Sequence, residues 1–151
     1  MTKGIRIGEQ TVVYDREATL QLYADVVTAA GCDECSCVYC KNFAAQRDRV
    51  YPHEFLTLLS ELGVDPLKEL EAFDYDFEQG SSKSLYGGWF VFCGELREGA
   101  SWRPQHDVGS FTYWFATSFP TGGLPSNVRL CAIEFCTEIP WVVSEQPDTN
   151  C

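Results

Sequence analysis

Near residue 72 the hydrophobic period of this chain changes, and few features constrain a fold more. Before that point apolar residues recur at helical spacing; after it they recur every second residue. The clearest helical stretch is YPHEFLTLLSELG, residues 51–63, where Phe55, Leu58, Leu59 and Leu62 form one stripe. Pro52 and Glu54 belong to its first turn, and Gly63 ends it. Asp65-Pro66 predicts a further short helix, DPLKELEAF, by the same capping logic. Asp15 can cap a helix with the stripe Leu22, Val26, Ala29 and Ala30 and a stop at Gly31, although ATLQLYAD also alternates as a strand does. In CKNFAAQRDR, the residues Cys37, Cys40, Phe43, Ala44 and Arg47 share one helical face, with Cys37 near its start.

The two-residue period then runs through FDYDF, LYGGWFVFCGEL, FTYWFATSF and VRLCAIEF, separated by turn signals. IPWVV reads as a last short strand at an edge, because Pro140 cannot donate to a ladder. IRIGEQTVVY, residues 5–14, reads as an initial strand or hairpin. The implied fold is α+β: an antiparallel sheet of four to six strands, mostly C-terminal, with two or three N-terminal helices packed on it. No repeat or linker divides the chain, so residues 1–151 read as a single domain with 145–151 as a frayed tail.

A chain of 151 residues with 45% hydrophobic content can bury a core without staples, so any need for cysteine is local. That need centres on GCDECSCVYCKNF, residues 31–43, where Cys32, Cys35, Cys37 and Cys40 lie within nine positions. MTKGIRIGEQ has no apolar segment of a secretory signal, and runs such as WFVFC are too short to span a membrane. The expected compartment is the cytoplasm, where thiols stay reduced. The net charge of −11 argues against a nucleic-acid partner, since phosphate neutralisation needs Lys and Arg. A small basic group, Lys41, Arg47 and Arg49, follows the cysteines, while acids concentrate at Glu69, Glu71, Asp74, Asp76 and Glu78.

Cys32/Cys35 and Cys37/Cys40 are two C-x2-C pairs fused through Ser36. Such a pair aims two thiolates at one ion, which points to zinc held by Cys32, Cys35, Cys37 and Cys40. Nine residues wrap an ion only in a tight curl, so two or three of them are expected to ligate. Completion can come from His53, His106, Cys93, Cys131 or Cys136. The spacing matches neither ferredoxin pattern, which argues against an iron–sulfur cluster.

Cys37-Val38-Tyr39-Cys40 also resembles the C-P-Y-C site of glutaredoxins. That resemblance implies a thiol–disulfide oxidoreductase with Cys37 as nucleophile and Cys40 as resolving partner. The glutaredoxin fold wants the motif straight after a first strand and a Pro-preceded strand soon afterwards. Here Ile139-Pro140 follows about a hundred residues later. A third reading makes Cys37 and Cys40 inert residues of a buried helix face, with Cys93, Cys131 and Cys136 filling the sheet core.

Asp74, Asp76 and Glu78 share a strand face and read as its solvated side, with Phe73, Tyr75 and Phe77 turned inward. His106, in SWRPQHD, reads as a surface histidine, and no nucleophile elbow, phosphate loop or dinucleotide fingerprint is present. Gly87-Gly88 before Trp89 marks a close approach or bulge within a strand. FTYWFATSF carries aromatics on both faces, so either helices cover one face and another layer the other, or an apolar patch is left for a protein partner or self-association. The combined expectation is an interaction module pinned by zinc and not an enzyme. The alternatives are the oxidoreductase and an acidic partner-binding protein with inert thiols.

Overall fold

The computed structural model describes residues 2–77, 83–100 and 106–145. Among them the order is β1 (Lys3–Ile7), β2 (Gln10–Tyr14), α1 (Arg16–Asp25), α2 (Gly31–Glu34), α3 (Val38–Ala44), α4 (Arg47–Val50) and α5 (His53–Leu62), followed by β3 (Glu71–Phe77), β4 (Lys83–Glu98), β5 (His106–Val108), β6 (Phe111–Ala116) and β7 (Leu130–Pro140). The α+β class is as expected, with a seven-stranded antiparallel sheet in place of four to six strands.

The sheet runs β1-β2-β4-β7-β6-β5, with β3 also paired to β4. The long strand β4 organises it. β7 pairs with it from Lys83 to Cys93, while its other edge is shared by β3, up to Trp89, and β2, from Gly94. Between those two partners a stretch of edge would lack backbone bonds. Helix α1 supplies them from side chains: Tyr23 Oη donates to the Val91 carbonyl at 2.7 Å and accepts from its N–H at 3.2 Å, and Thr19 Oγ1 accepts from Cys93 N–H at 3.0 Å. Asp15 caps α1 by accepting from Ala18 N–H, as its position predicted.

One face of the sheet is covered by the helices. Phe43 of α3, Tyr51 and Phe55 pack there on Phe90, Phe111 and Phe135, with Phe55–Phe111 centroids 4.8 Å apart. Truncating one such fully buried ring costs about 3–5 kcal/mol. Gly88 admits the Phe135 ring on this face, where a Cβ would approach it to 2.5 Å. The opposite face carries Trp89 and Trp114 with Ala116 and Ala132.

Several expectations are corrected. DPLKELEAF is not a helix: Asp65 Oδ1 accepts from Leu67 N–H to close a turn, and Leu70 N–H already bonds the Trp89 carbonyl in extended form. Helix α1 stops at Asp25, and Gly31 opens α2 instead of ending a helix. The helix expected through Arg47 breaks at Ala45–Gln46, so Arg47 begins a separate turn. IPWVV is not a strand of its own: Ile139 and Pro140 end the interior strand β7, where Pro140 lies opposite Lys83. A register shift between Asp74 and Asp76 breaks the even alternation of β3. Asp74 lies opposite Tyr86, while Tyr75 covers Gly87 on the other face and is 50% exposed, so Phe73 and Tyr75 do not face the helices; the side chains of Asp76 and Phe77, and Glu78, lie outside the described residues. The expected tail beyond Glu145, the side chain of His106 and most of SWRPQHD lie outside the described residues.

Candidate metal centre

The cysteine loop is two short helices in contact with each other and with β3. Helix α2 begins at Gly31 because nothing larger fits: a Cβ there would meet the Leu70 carbonyl oxygen at 2.1 Å. Gly31 N–H donates to the Glu69 carbonyl at 2.8 Å, which brings Cys32 under the sheet edge. Cys32 is buried, and its Sγ donates to the Ala72 carbonyl at 3.7 Å. Cys35 follows α2, exposed, and Cys37 is the N-cap of α3.

Two backbone N–H groups aim at sulfur. Cys37 N–H donates to Cys35 Sγ and Cys40 N–H to Cys37 Sγ, each at 3.5 Å. These bonds curl the chain so that the sulfurs of Cys35, Cys37 and Cys40 lie within 4.8 Å of one another. This three-sulfur group is compatible with a metal ion. Cys32 touches the group through Cys40. That hydrogen bond holds the Cys40 thiol down at about 7, against burial, which raises it, while Cys32 is pushed far up by the same bond and then by its own burial. Cys32, Cys35, Cys40, Cys93, Cys131 and Cys136 are free thiols, whereas Cys37 is disulfide-bonded.

The loop is anchored on both sides. Asn42 of α3 accepts from Val142 N–H at 2.8 Å, and Gln46, just before α4, donates from Nε2 to the Pro140 carbonyl at 2.7 Å. Tyr86 Oη donates to the Tyr39 carbonyl at 2.9 Å. Behind α2, Arg47 donates to both carboxylate oxygens of Glu69, at 2.6 and 2.9 Å, and to Asp33 at 3.1 Å. Sequence reasoning placed Arg47 on an apolar helix stripe without asking what would neutralise it there. That position was the available signal, since a cation on a buried face needs a carboxylate opposite.

Of the remote ligands considered for completion, His53, Cys93, Cys131 and Cys136 are not brought to the loop. Among the described residues the metal-competent group is Cys35, Cys37 and Cys40; His53 is exposed at the start of α5. Cys93 and Cys131 are buried in the main core with thiols pushed up by burial, and Cys136 lies half-buried on the opposite sheet face. No helix among the described residues is long and apolar enough to cross a membrane. Comparison with protein-family models, with curated proteins and with solved structures finds no match.

Proposed function

We propose that this chain is a binding module whose cysteine loop is locked by a structural zinc ion held by Cys35, Cys37 and Cys40, with Cys32 as the fourth ligand. The observation that carries the reading is the convergence of three sulfurs within 4.8 Å, two of them already accepting backbone N–H bonds. Such bonds fix the direction in which a sulfur points, which is what a metal ligand requires. Four thiolates make a closed tetrahedral site, the structural kind, with no position left for a reacting water. The exposed Cys35 is the side from which an ion would enter. Zinc there would fix α2 and α3 to each other and to β3. Loading requires Cys37 reduced, because a disulfide sulfur is not a thiolate ligand.

Cobalt(II) titration of the reduced protein tests this reading. Thiolate-to-cobalt charge transfer and intense tetrahedral d–d bands are expected, bleached by zinc. Cys32→Ser should alter the d–d envelope if Cys32 ligates. Absence of a charge-transfer band in reduced protein would remove the proposal.

A second reading, thiol–disulfide exchange, draws on the disulfide at Cys37 and on the Cys40 thiol held near neutrality. In it Cys40 is the readily ionised thiol, the reverse of the roles the glutaredoxin resemblance implies. Turnover of a glutathione mixed disulfide, lost in Cys40→Ser, supports this reading; no turnover above free thiol removes it.

A further inference from the structure

An open cleft of about 380 Å³ adjoins the cysteine loop. Its walls include Val27, Glu34, Leu70, Glu71 and Leu124, and Trp89 lines it from the sheet. The volume falls within the roughly 300–1,000 Å³ of ordinary ligand sites. Among the described residues, Glu34 and Glu71 are the charged ones lining it, and no Lys or Arg does. Neither carboxylate forms an ion pair among the described residues. Glu71 accepts from the Trp89 indole N–H at 3.4 Å, so carboxylate and ring are already set side by side.

The pattern continues along the same sheet face. Glu71, Trp89, Glu134 and Trp114 stand directly opposite one another across β3, β4, β7 and β6, alternating acid and indole. Glu134 is half-buried and takes a hydrogen bond from Trp114 and no ion pair among the described residues. Glu34 and Glu71 are exposed and Glu134 is half-buried; carboxylates set beside aromatic rings without a cation favour a positively charged occupant. The net charge of −11 draws such a partner toward the whole molecule.

We propose that this cleft takes an arginine side chain of a partner protein, its guanidinium lying against the Trp89 indole and pairing with Glu34 and Glu71. Arginine fits better than lysine because its planar fork both stacks on a ring and pairs with carboxylates in two-point fashion. The occupant is a peptide side chain and not a nucleic acid, since among the described residues the cleft offers no cation for a phosphate. The proposal goes beyond the zinc reading and does not depend on it, although Glu34 and Cys32 share α2.

The test is an NMR titration of the full chain with the peptide acetyl-Gly-Arg-Gly-amide and with its citrulline counterpart, which keeps the shape and loses the charge. The Trp89 indole N–H, assigned by Trp89→Phe, should shift saturably with the arginine peptide. Binding should weaken at least about tenfold with citrulline, and similarly in the Glu34→Gln, Glu71→Gln double variant. That variant keeps an acceptor for the indole, so its other indole signals should stay at their native positions. Equal responses to both peptides would overturn the proposal, as would unchanged binding in the double variant, which would assign the effect to the diffuse acidic surface. A Trp89 shift that follows protein concentration without peptide would also overturn it, by placing a second copy in the cleft.

Discussion

Arg47 and Glu69 form a two-point ion pair, at 2.6 and 2.9 Å, in which the Glu69 side chain is wholly shielded from water. The pair joins the start of α4 to the residue that holds Gly31, so it sits directly behind the cysteine loop. Removing one partner strands a buried charge, whereas replacing both by apolar residues does not. Arg47→Met should therefore cost about 3–5 kcal/mol in urea unfolding, and the R47M/E69L pair should regain most of it. A single variant within about 1 kcal/mol of the parent would show that the pair is not what holds this corner.

Gln10 is the second buried polar anchor. Its Nε2 donates to the carbonyls of Phe115 and Ala100, at 2.7 and 2.6 Å, and its Oε1 accepts from Phe115 N–H at 2.7 Å. It thereby stands in for a missing strand neighbour at that point of β6 and ties the β1–β2 hairpin to it. Gln10→Ala should cost about 2–4 kcal/mol, because buried backbone groups lose their partners. The Phe115 amide should lose its protection from hydrogen exchange in step with that loss, and unchanged protection would count against this role.

Gly31 offers a steric test of how the loop is seated. Its missing side chain lets α2 rest on the Leu70 carbonyl, and an added methyl would press on backbone, not on a flexible side chain. Gly31→Ala should destabilise by about 1–3 kcal/mol and weaken metal uptake by the reduced protein. Full stability in that variant would mean that α2 seats differently.

Glu134 provides a pH dependence with a definite sign. Burial raises its carboxyl above the ordinary 4.5, against the lowering effect of the Trp114 hydrogen bond. The folded chain thus holds this proton to higher pH than the unfolded one. Stability from this group is present at pH below 4.5 and is lost as pH rises through the raised value. Glu134→Gln, which keeps an acceptor for Trp114, should raise Tm at neutral pH and show a shrinking gain on acidification. A gain independent of pH would refute the assignment.

Much of the fold was legible in local pattern. Helix α5 and the Gly63 stop (φ 84°) followed from stripe and caps, and the cap of α1 from Asp15. What local pattern misjudged depended on partners distant in sequence. DPLKEL satisfies the rules for a helix start, yet the Trp89 carbonyl and the Arg47 guanidinium claim Leu70 and Glu69 for an extended path. The faces of β3 were misread because alternation shows which residues share a face and not which face meets the helices, and because a bulge after Asp74 breaks that alternation. At the site, the four clustered cysteines were visible at once. Which of them converge was not, since that depends on two N–H···S bonds and on a glycine pressed against Leu70.

The most direct measurement is metal content and thiol count on the same freshly reduced, desalted protein. The account predicts about one zinc per chain, with the clustered thiols becoming titratable only after a chelator is added. Cys35→Ser, Cys37→Ser and Cys40→Ser should each lower zinc retention, while Cys136→Ser, on the far face of the sheet, should not. Zinc and iron far below stoichiometric, with the thiols of the loop freely titratable from the start, would contradict it.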